Sequence, residues 1–187
     1  MKFKKEITVK INCSKEELLK YLKNNNFINK ENYVMEDIYY VKKDYDLNKD
    51  ILDILNNCIL IRNIGNKRLY YVYKYKEYDE NKNILKDGKS KVEIKDISSA
   101  KIFLENIGYK KFIKIKDEIT VYRKDDIELA VEYVNDKHLY IEIEETKKYN
   151  TIDKLIAKLD EYNIDYDKSN YFVKKAEITY NETYNKI

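Results

Sequence analysis

Several features that commonly define a small protein are absent from this sequence. It contains no proline, no tryptophan and only two cysteines in 187 residues. Cys13 and Cys58 have no CxxC spacing and are too few for a disulfide framework, so we expect two reduced thiols in apolar surroundings. No stretch approaches the roughly 18 apolar residues that cross a bilayer, and the N-terminus alternates instead of carrying an apolar leader. These absences predict a soluble, cytoplasmic protein without a membrane partner.

A net charge of one sign is missing as well. The 37 basic and 34 acidic side chains almost cancel, to +3, and the two signs alternate finely along the chain. No long-range field therefore favours nucleic acid as a partner. The single histidine, His138, lies near a predicted turn, and no Ser-His-Asp or Cys-His arrangement supports a nucleophilic site.

The sequence does contain enough apolar surface for one core, since 43% of its residues are hydrophobic. A chain of this length forms a compact domain without a structural metal or disulfides. We therefore expect a single domain over residues 1–187.

Eight segments alternate between apolar and polar residues or are rich in β-formers, as strands are. They are Phe3–Cys13, Tyr33–Val41, Asn57–Ile64, Leu69–Tyr78, Lys89–Lys95, Tyr109–Arg123, Ile127–Val134 and His138–Glu145. Gly65-Asn66, Lys124-Asp125-Asp126 and Asn135-Asp136-Lys137 separate neighbouring segments as turns, and Asp87-Gly88 precedes another. Neighbouring strands are therefore predicted to be mostly antiparallel.

Three amphipathic helices are predicted between and after the strands. Ser14 and Glu17 form a capping box that starts a helix of about ten residues. A second helix spans Ser99–Ile107, with Gly108 as its C-terminal cap, and a third spans about Ile152–Tyr162. Eight antiparallel strands can close into a barrel without exposed edges. The predicted fold class is therefore α+β, with a closed eight-stranded antiparallel β-barrel, or tunnel, and helices packed outside it.

Most of the predicted strands carry ionisable side chains two or four residues apart, on one face. These residues are Glu6 and Lys10; Lys74 and Lys76; Lys91, Glu93 and Lys95; Lys114 and Lys116; Glu128 and Glu132; and Glu142 and Glu144. One interpretation makes them the hydrated outer face of an ordinary sheet. The three helices favour the opposite arrangement, because their apolar stripes have only the apolar strand faces to cover.

Charges that line the inside of a barrel need ligands. An unpaired ion there loses several kcal/mol of hydration, so about five carboxylates and as many cations require water, metal and a polyanion. Hard divalent cations such as Mg²⁺ and Mn²⁺ take oxygen ligands. Lysine and arginine neutralise phosphate oxygens. A triphosphate with bound metal meets both requirements.

Short motifs follow one another in a specific order along the chain. Glu6-Ile7-Thr8-Val9-Lys10 is similar to an N-terminal ExExK in which Thr8 replaces the second glutamate, and Tyr140-Ile141-Glu142-Ile143-Glu144 is similar to Phe-x-Glu-x-Glu. Further motifs lie at Asp37–Tyr40, Cys58–Arg62, Val72–Lys74, Lys91–Lys95, Val131–Val134 and Lys168–Tyr171. Over nearly the whole chain they resemble the CYTH superfamily of class IV adenylate cyclases and thiamine triphosphatases, also called triphosphate tunnel metalloenzymes.

The resemblance implies roles for the charged residues. It places metal, Mg²⁺ or Mn²⁺, near Glu6, Glu93, Glu132, Glu142 and Glu144. It assigns phosphate contacts to Lys10, Arg62, Lys74, Lys76, Lys91 and the sixth-strand lysines Lys114 and Lys116, between which the register leaves the choice open. Three positions depart from the family pattern, since Thr8 and Lys95 each replace an acid and Leu60 replaces an arginine.

The resemblance allows three functions. The first is a metal-dependent, class IV adenylate cyclase-like enzyme that converts ATP to cAMP and pyrophosphate; the chain length and the segment near Tyr171 favour it. The second is a hydrolase of thiamine triphosphate, tripolyphosphate or a nucleotide. The third is a tunnel that only binds a phosphorylated ligand, for which Thr8, Leu60 and Lys95 argue. The expected partner is a triphosphate-containing small molecule such as ATP. The sequence does not decide what the organic part of this molecule is or whether the protein forms a homodimer.

Overall fold

A computed structural model of the protein describes residues 5–78, 80 and 84–184. These residues form eight β-strands and five α-helices. The strands are β1 Glu6–Lys10, β2 Ile28–Lys42, β3 Ile59–Ile64, β4 Arg68–Tyr78, β5 Ile84–Glu93, β6 Tyr109–Lys124, β7 Ile127–Val134 and β8 His138–Glu144. The helices are α1 Lys15–Asn24, α2 Ile51–Asn56, α3 Ile97–Asn106, α4 Ile152–Glu161 and α5 Lys175–Thr183. All eight predicted strands and all three predicted helices are confirmed, with ends that differ by up to five residues; the first two residues of the predicted strand Phe3–Cys13 lie outside the described residues.

The strands belong to one sheet in the order β1-β8-β7-β6-β2-β3-β4-β5. The ladders of β8 with β1 and β7, of β7 with β6, of β3 with β2 and β4, and of β4 with β5 are antiparallel. Among the described residues, no ladder joins β1 to β5. The observed fold is therefore α+β with an eight-stranded antiparallel sheet, and the closed barrel expected from the sequence is not confirmed.

The outer edge of β1 is covered by the chain that follows α4. The backbone N–H of Thr8 donates to the Tyr171 carbonyl at 3.0 Å, and the Thr8 carbonyl accepts from the Val173 N–H at 3.0 Å. Farther along, the Lys10 carbonyl accepts from the Asp167 N–H at 2.8 Å. Because an exposed strand edge pairs readily with other chains, this segment protects β1.

The chain divides into two compact units. Unit 1 contains Val34–Lys116 and the described residues from Lys174 onward. Unit 2 contains the described residues up to Tyr33 and Asp117–Val173. Strands β2 and β6 contribute residues to both units, and the single domain over residues 1–187 remains a prediction.

In unit 2, the apolar face of the sheet packs against helices α1 and α4. The core includes Ile7 and Val9 of β1, Ile141 and Ile143 of β8, Leu18 and Leu22 of α1, and Leu155 and Leu159 of α4. Each fully buried aliphatic side chain of this kind stabilises the fold by about 1.5–3 kcal/mol. Because side chains alternate along a strand, Glu6, Thr8, Glu142 and Glu144 lie on the opposite face. The helices thus cover the apolar face, as the sequence predicts.

Unit 1 is arranged in the same way around helix α3. Its core includes Ile38 and Tyr40 of β2, Ile61 of β3, and Ala100 and Leu104 of α3. Asp37 and Arg62 alternate with these core residues along β2 and β3, so they lie on the other face of the sheet. The motif residues therefore lie on the face opposite α1 and α4 in unit 2 and on the face opposite α3 in unit 1.

Residues with positive φ form two of the predicted turns. Gly65 and Asn66, between β3 and β4, have φ of 59° and 55°, and Asn135 and Asp136, between β7 and β8, have φ of 54° and 55°. A type I′ turn needs positive φ at both central residues, which glycine, asparagine and aspartate adopt most easily. Gly108, with φ of 89°, follows the end of α3 as predicted.

Two helices lack a strong signal in the sequence. Helix α2 is six residues long, too short to show helical periodicity, and begins where the Asp50 carboxylate accepts from the Leu52 N–H at 2.9 Å. Helix α5 has no side-chain cap, and its Tyr180 packs against Phe112 of β6, with ring centroids 5.2 Å apart. Tertiary packing, which local patterns do not reveal, stabilises α5.

None of the helices in the described part of the chain is long and apolar enough to cross a membrane.

The turn predicted at Asp87-Gly88 is wrong. Strand β5 already begins at Ile84, and Gly88 lies inside it, opposite Tyr75 of β4. Glycine within a strand weakens it locally, but the ladder with β4 continues on both sides of Gly88. Cross-strand pairing therefore overrides the local preference for a turn.

Candidate metal centre and cationic cluster

Three carboxylates meet on the charged face of unit 2. Glu6 of β1 lies directly opposite Glu144 of β8, and Glu142 precedes Glu144 by two residues on the same face. Each side chain offers one oxygen, and the three oxygens lie within 4.8 Å of one another. Carboxylate oxygens at this spacing suit a hard divalent cation such as Mg²⁺ or Mn²⁺. The structure thus brings together three of the five predicted metal ligands, which we call the carboxylate cluster.

The same face contains a cavity of about 430 Å³, within the size range of small-molecule sites. Its acidic lining residues are Asp126, Glu128, Glu142, Glu144 and Glu145. Its other lining residues are Tyr33, Val121, Arg123, Ala130 and Thr146. Carboxylates gathered in one cavity repel one another, and a bound cation relieves that repulsion. The charge of the cavity therefore favours binding of a metal ion.

Glu132 of β7 is the fourth predicted metal ligand in unit 2. It lies opposite Tyr140 of β8, and Tyr140 precedes Glu142 by two residues on the same face. Glu132 is only 3% exposed. Burial, followed by the carboxylates of Glu31 and Glu132, raises the pKa of Tyr33 in the cavity. Glu132 therefore belongs to the same electronegative surroundings, although it is not one of the three residues whose oxygens lie within 4.8 Å of one another.

Thr8 lies between Glu6 and Lys10 on β1, where the family pattern has a second glutamate. Its side chain is 6% exposed and lies on the face of the carboxylate cluster, directly opposite Glu142. The hydroxyl is a neutral oxygen and a weaker ligand for a hard cation than a carboxylate. Lys10 shares this face by alternation and is exposed.

A buried ion pair lies on the charged face of unit 1. Asp37 of β2 is opposite Arg62 of β3 and accepts hydrogen bonds from Nε at 2.6 Å and from Nη2 at 2.5 Å. The residues are 4% and 8% exposed. Burial disfavours the carboxylate, but the hydrogen bonds from Arg62 and the charge of Lys74 hold the pKa of Asp37 below its usual value. This bidentate pairing fixes the orientation of the guanidinium.

Lys74 of β4 completes this group, which we call the cationic cluster of Asp37, Arg62 and Lys74. Its Nζ lies 3.8 Å from Asp37 Oδ2. Burial and the neighbouring Arg62 guanidinium lower the pKa of Lys74 to about 8. Two cations around one carboxylate leave a net positive charge, which an anion such as phosphate would balance.

The other predicted residues of β4 and β5 lie at the surface or near it. Lys76 is half-buried, two residues beyond Lys74 on the same strand. Lys91 is exposed, with its Nζ 4.8 Å from the centre of the Tyr70 ring. Glu93 lies opposite Tyr70 and is exposed. Glu93 belongs to unit 1, whereas the carboxylate cluster belongs to unit 2.

The sixth-strand lysines do not share a face with the predicted site residues beside them. Lys114 Nζ lies 2.6 Å from a carboxylate oxygen of Glu36. Glu36 precedes Asp37, and successive residues of a strand point to opposite faces, so Lys114 lies on the face of β2 opposite the cationic cluster. By the same alternation, Lys116 faces away from the buried Asp117. This placement does not support the phosphate contact predicted for these two lysines.

Sequence reasoning missed Arg123 and Tyr33, which both line the cavity. A usable signal exists for Arg123. The predicted turn at Lys124-Asp125-Asp126 places Arg123 directly opposite Glu128, so counting back from the turn puts Arg123 on the face of the predicted acids. Tyr33 stands at the start of a predicted strand and has no comparable signal.

Comparisons with known proteins concern the fold. No protein-family model matches the sequence, and no curated protein matches it. A conserved hypothetical protein from Pyrococcus furiosus has a similar structure at 19% identity, with a TM-score of 0.66 over 92% of this chain and 99% of that one. A candidate adenylate cyclase from Vibrio parahaemolyticus is similar at 15% identity and a TM-score of 0.65, over 92% and 94% of the two chains.

A third similar structure comes from Hippeastrum. It is HpAC1, a candidate adenylyl cyclase with a dominant triphosphatase activity, at 12% identity and a TM-score of 0.64 over 96% of each chain. Identities this low establish a common fold and no more. The chain therefore shares its fold with these structures, and the resemblance found in the sequence is borne out at the level of the fold.

Proposed function

We propose that the protein is a metal-dependent enzyme that processes triphosphates, with class IV adenylate cyclase-like conversion of ATP to cAMP and pyrophosphate as its reaction. The observation that carries the proposal is the carboxylate cluster, whose three oxygens lie within 4.8 Å of one another beside an acid-lined cavity. Oxygen donors alone, without histidine or cysteine, favour Mg²⁺ or Mn²⁺ over softer metals.

The carboxylates of Glu6, Glu142 and Glu144 hold the metal in this proposal, with Glu132 and Glu93 as the further predicted ligands. A bound divalent cation supplies Lewis acidity that neutralises phosphate oxygens and eases loss of a proton from the attacking hydroxyl. The cluster belongs to rigid strands, because β1 and β8 pair over five consecutive residues. Strands of this kind position ligands more accurately than loops do.

The cationic cluster supports the phosphate side of the proposal. Asp37 orients the Arg62 guanidinium through two hydrogen bonds, so little side-chain freedom remains to be lost when an anion binds. Lys74 carries its proton at neutral pH, since its pKa is about 8. Lys10, Lys76 and Lys91 are the further cations that the family resemblance assigns to phosphate binding.

Two alternatives depend on the same residues. A hydrolase of thiamine triphosphate, tripolyphosphate or a nucleotide uses the same metal and cations with water as the nucleophile, and the triphosphatase activity of HpAC1 favours it. A protein that binds a triphosphate without turnover is favoured by Thr8, Leu60 and Lys95. Leu60 is fully buried on the face of Arg62. Because it stands where the family pattern has an arginine, that face has one cation fewer.

Product analysis distinguishes these functions. The protein is incubated with ATP, thiamine triphosphate or tripolyphosphate and with Mg²⁺ or Mn²⁺, and the products are separated by chromatography. Release of cAMP with pyrophosphate supports the cyclase, and release of orthophosphate supports the hydrolase. Tight calorimetric binding of a triphosphate without any turnover supports the binding protein. The absence of both turnover and binding overturns the proposal.

A further inference from the structure

Arg123 is placed among the acids of unit 2 by the register of three strands. It lies directly opposite Glu128 on β7, and Val121, two residues earlier on β6, lies opposite Ala130. Ala130 in turn lies opposite Glu142 of β8. Residues in register share a face, so the Arg123 side chain and the Glu142 carboxylate line one surface. Arg123 accordingly lines the cavity beside the carboxylate cluster.

The surroundings of Arg123 are unusual for a cation among acids. Among the described lining residues of the cavity, Arg123 is the one cation against five acids. No salt bridge within 4.0 Å joins it to a carboxylate of the described residues, although Glu128 is its cross-strand neighbour. Its side chain is exposed. A guanidinium in this situation can present its planar set of donors to an oxyanion.

We propose that Arg123 binds phosphoryl oxygens of the substrate in this cavity, as the contribution of β6 to phosphate binding. It takes the role for which the sequence suggests Lys114 and Lys116, neither of which lies on the required face. A metal held by the carboxylate cluster would neutralise some of the polyphosphate oxygens, and the Arg123 guanidinium donates to oxygens that the metal would leave exposed. The inference rests on the proposed function and adds a residue to it.

The alternative role for Arg123 is only to reduce the repulsion among the acids. Removal of Arg123 tests the two roles, because it changes the affinity for metal and the affinity for polyphosphate in different directions if Arg123 binds phosphate. A positive charge in the cavity repels a divalent cation, so removing it tightens binding of the metal by itself. If Arg123 also binds phosphate, the same change weakens binding of the polyphosphate. A change that merely disturbs the local structure weakens both.

The test uses calorimetry with two probes, Mn²⁺ alone and tripolyphosphate at saturating Mn²⁺. For Arg123→Ala we expect the Kd of tripolyphosphate to rise about tenfold or more, while the Kd of Mn²⁺ alone falls. Arg123→Lys keeps the charge but loses the bidentate donors, so its tripolyphosphate affinity is expected to lie between those of the wild type and Arg123→Ala. Lys20→Ala, an exposed position on α1, removes the same formal charge on the helix-covered side of the sheet and should change neither constant.

Three results overturn the inference while leaving the proposed function intact. They are unchanged tripolyphosphate binding in Arg123→Ala, weaker binding of both probes in Arg123→Ala and Arg123→Lys alike, and equal losses in Arg123→Ala and Lys20→Ala. Failure of the wild type to bind tripolyphosphate with Mn²⁺ overturns the inference, and the proposed function fails with it only if ATP and thiamine triphosphate are neither bound nor turned over. The wild-type measurements therefore separate the two failures.

Discussion

Thr8 of β1 lies directly opposite Glu142 of β8, so the residue that departs from the ExExK pattern is a cross-strand neighbour of the carboxylate cluster. Directly opposed side chains in an antiparallel pair have Cβ atoms about 4.5–5.5 Å apart. A carboxylate at position 8 would therefore reach the same metal region as Glu142, whereas the threonine hydroxyl supplies only a neutral oxygen.

The first prediction concerns this position. Thr8→Glu adds a charged oxygen donor to the cluster, so the Mn²⁺ or Mg²⁺ concentration for half-maximal turnover should fall. Steady-state assays over a range of metal concentrations measure it. Thr8→Val is the matched control, because it keeps the shape of threonine without the hydroxyl. A metal requirement in Thr8→Glu that is no lower than that of Thr8→Val would contradict the placement of position 8 beside the metal.

The second prediction concerns the buried pair of Asp37 and Arg62. Asp37→Ala leaves a buried guanidinium beside Lys74 without its carboxylate, so the free energy of unfolding should fall by about 3–5 kcal/mol. Urea unfolding followed by circular dichroism measures the loss. Lys168→Ala removes the exposed pair with Asp160, 2.6 Å apart, and should cost less than about 1 kcal/mol. Equal losses in the two variants would contradict the structural role of the Asp37–Arg62 pair.

The third prediction follows from the pKa of Lys74, which is lowered to about 8. A polyanion binds the protonated amine more tightly, so the metal-free affinity for tripolyphosphate should be highest below pH 8 and fall as the pH rises through about 8. Calorimetric titrations between pH 6.5 and about 9 measure this dependence. Lys74→Arg keeps its charge throughout this range and should flatten the profile. A profile that is the same in both proteins would place the titrating group elsewhere.

Local patterns account for much of the fold. Strand β7, Ile127–Val134, has the predicted bounds because its alternation is strong and turn residues lie at both ends. The capping box of Ser14 and Glu17 likewise starts α1 where the sequence indicates. Helix α5 and the place of Gly88 within β5 depend on packing and pairing with distant residues, so no window of local sequence reveals them.

The candidate site divides in a similar way. Glu142 and Glu144 could be recognised because their spacing on one strand is also their spacing in the cluster. The residue of β6 that lies on the face of the site could not be recognised in the same way. A strand has two faces, and the sequence pattern around Lys114 does not show which of them is the face of the site. The ion pair with Glu36 and the register at Arg123, both long-range relationships, decide it.

The most direct test of the account measures triphosphate consumption with Mn²⁺ in the wild type, Glu142→Gln, Glu144→Gln and the control Lys20→Ala. Glutamine keeps the size of glutamate but replaces the charged oxygens, so each Gln variant should lose most of its metal-dependent turnover while its unfolding midpoint stays close to that of the wild type. Lys20→Ala should retain wild-type turnover. Loss of turnover confined to the two Gln variants is the predicted result, and full wild-type turnover in both of them would contradict the assignment of the carboxylate cluster to the metal.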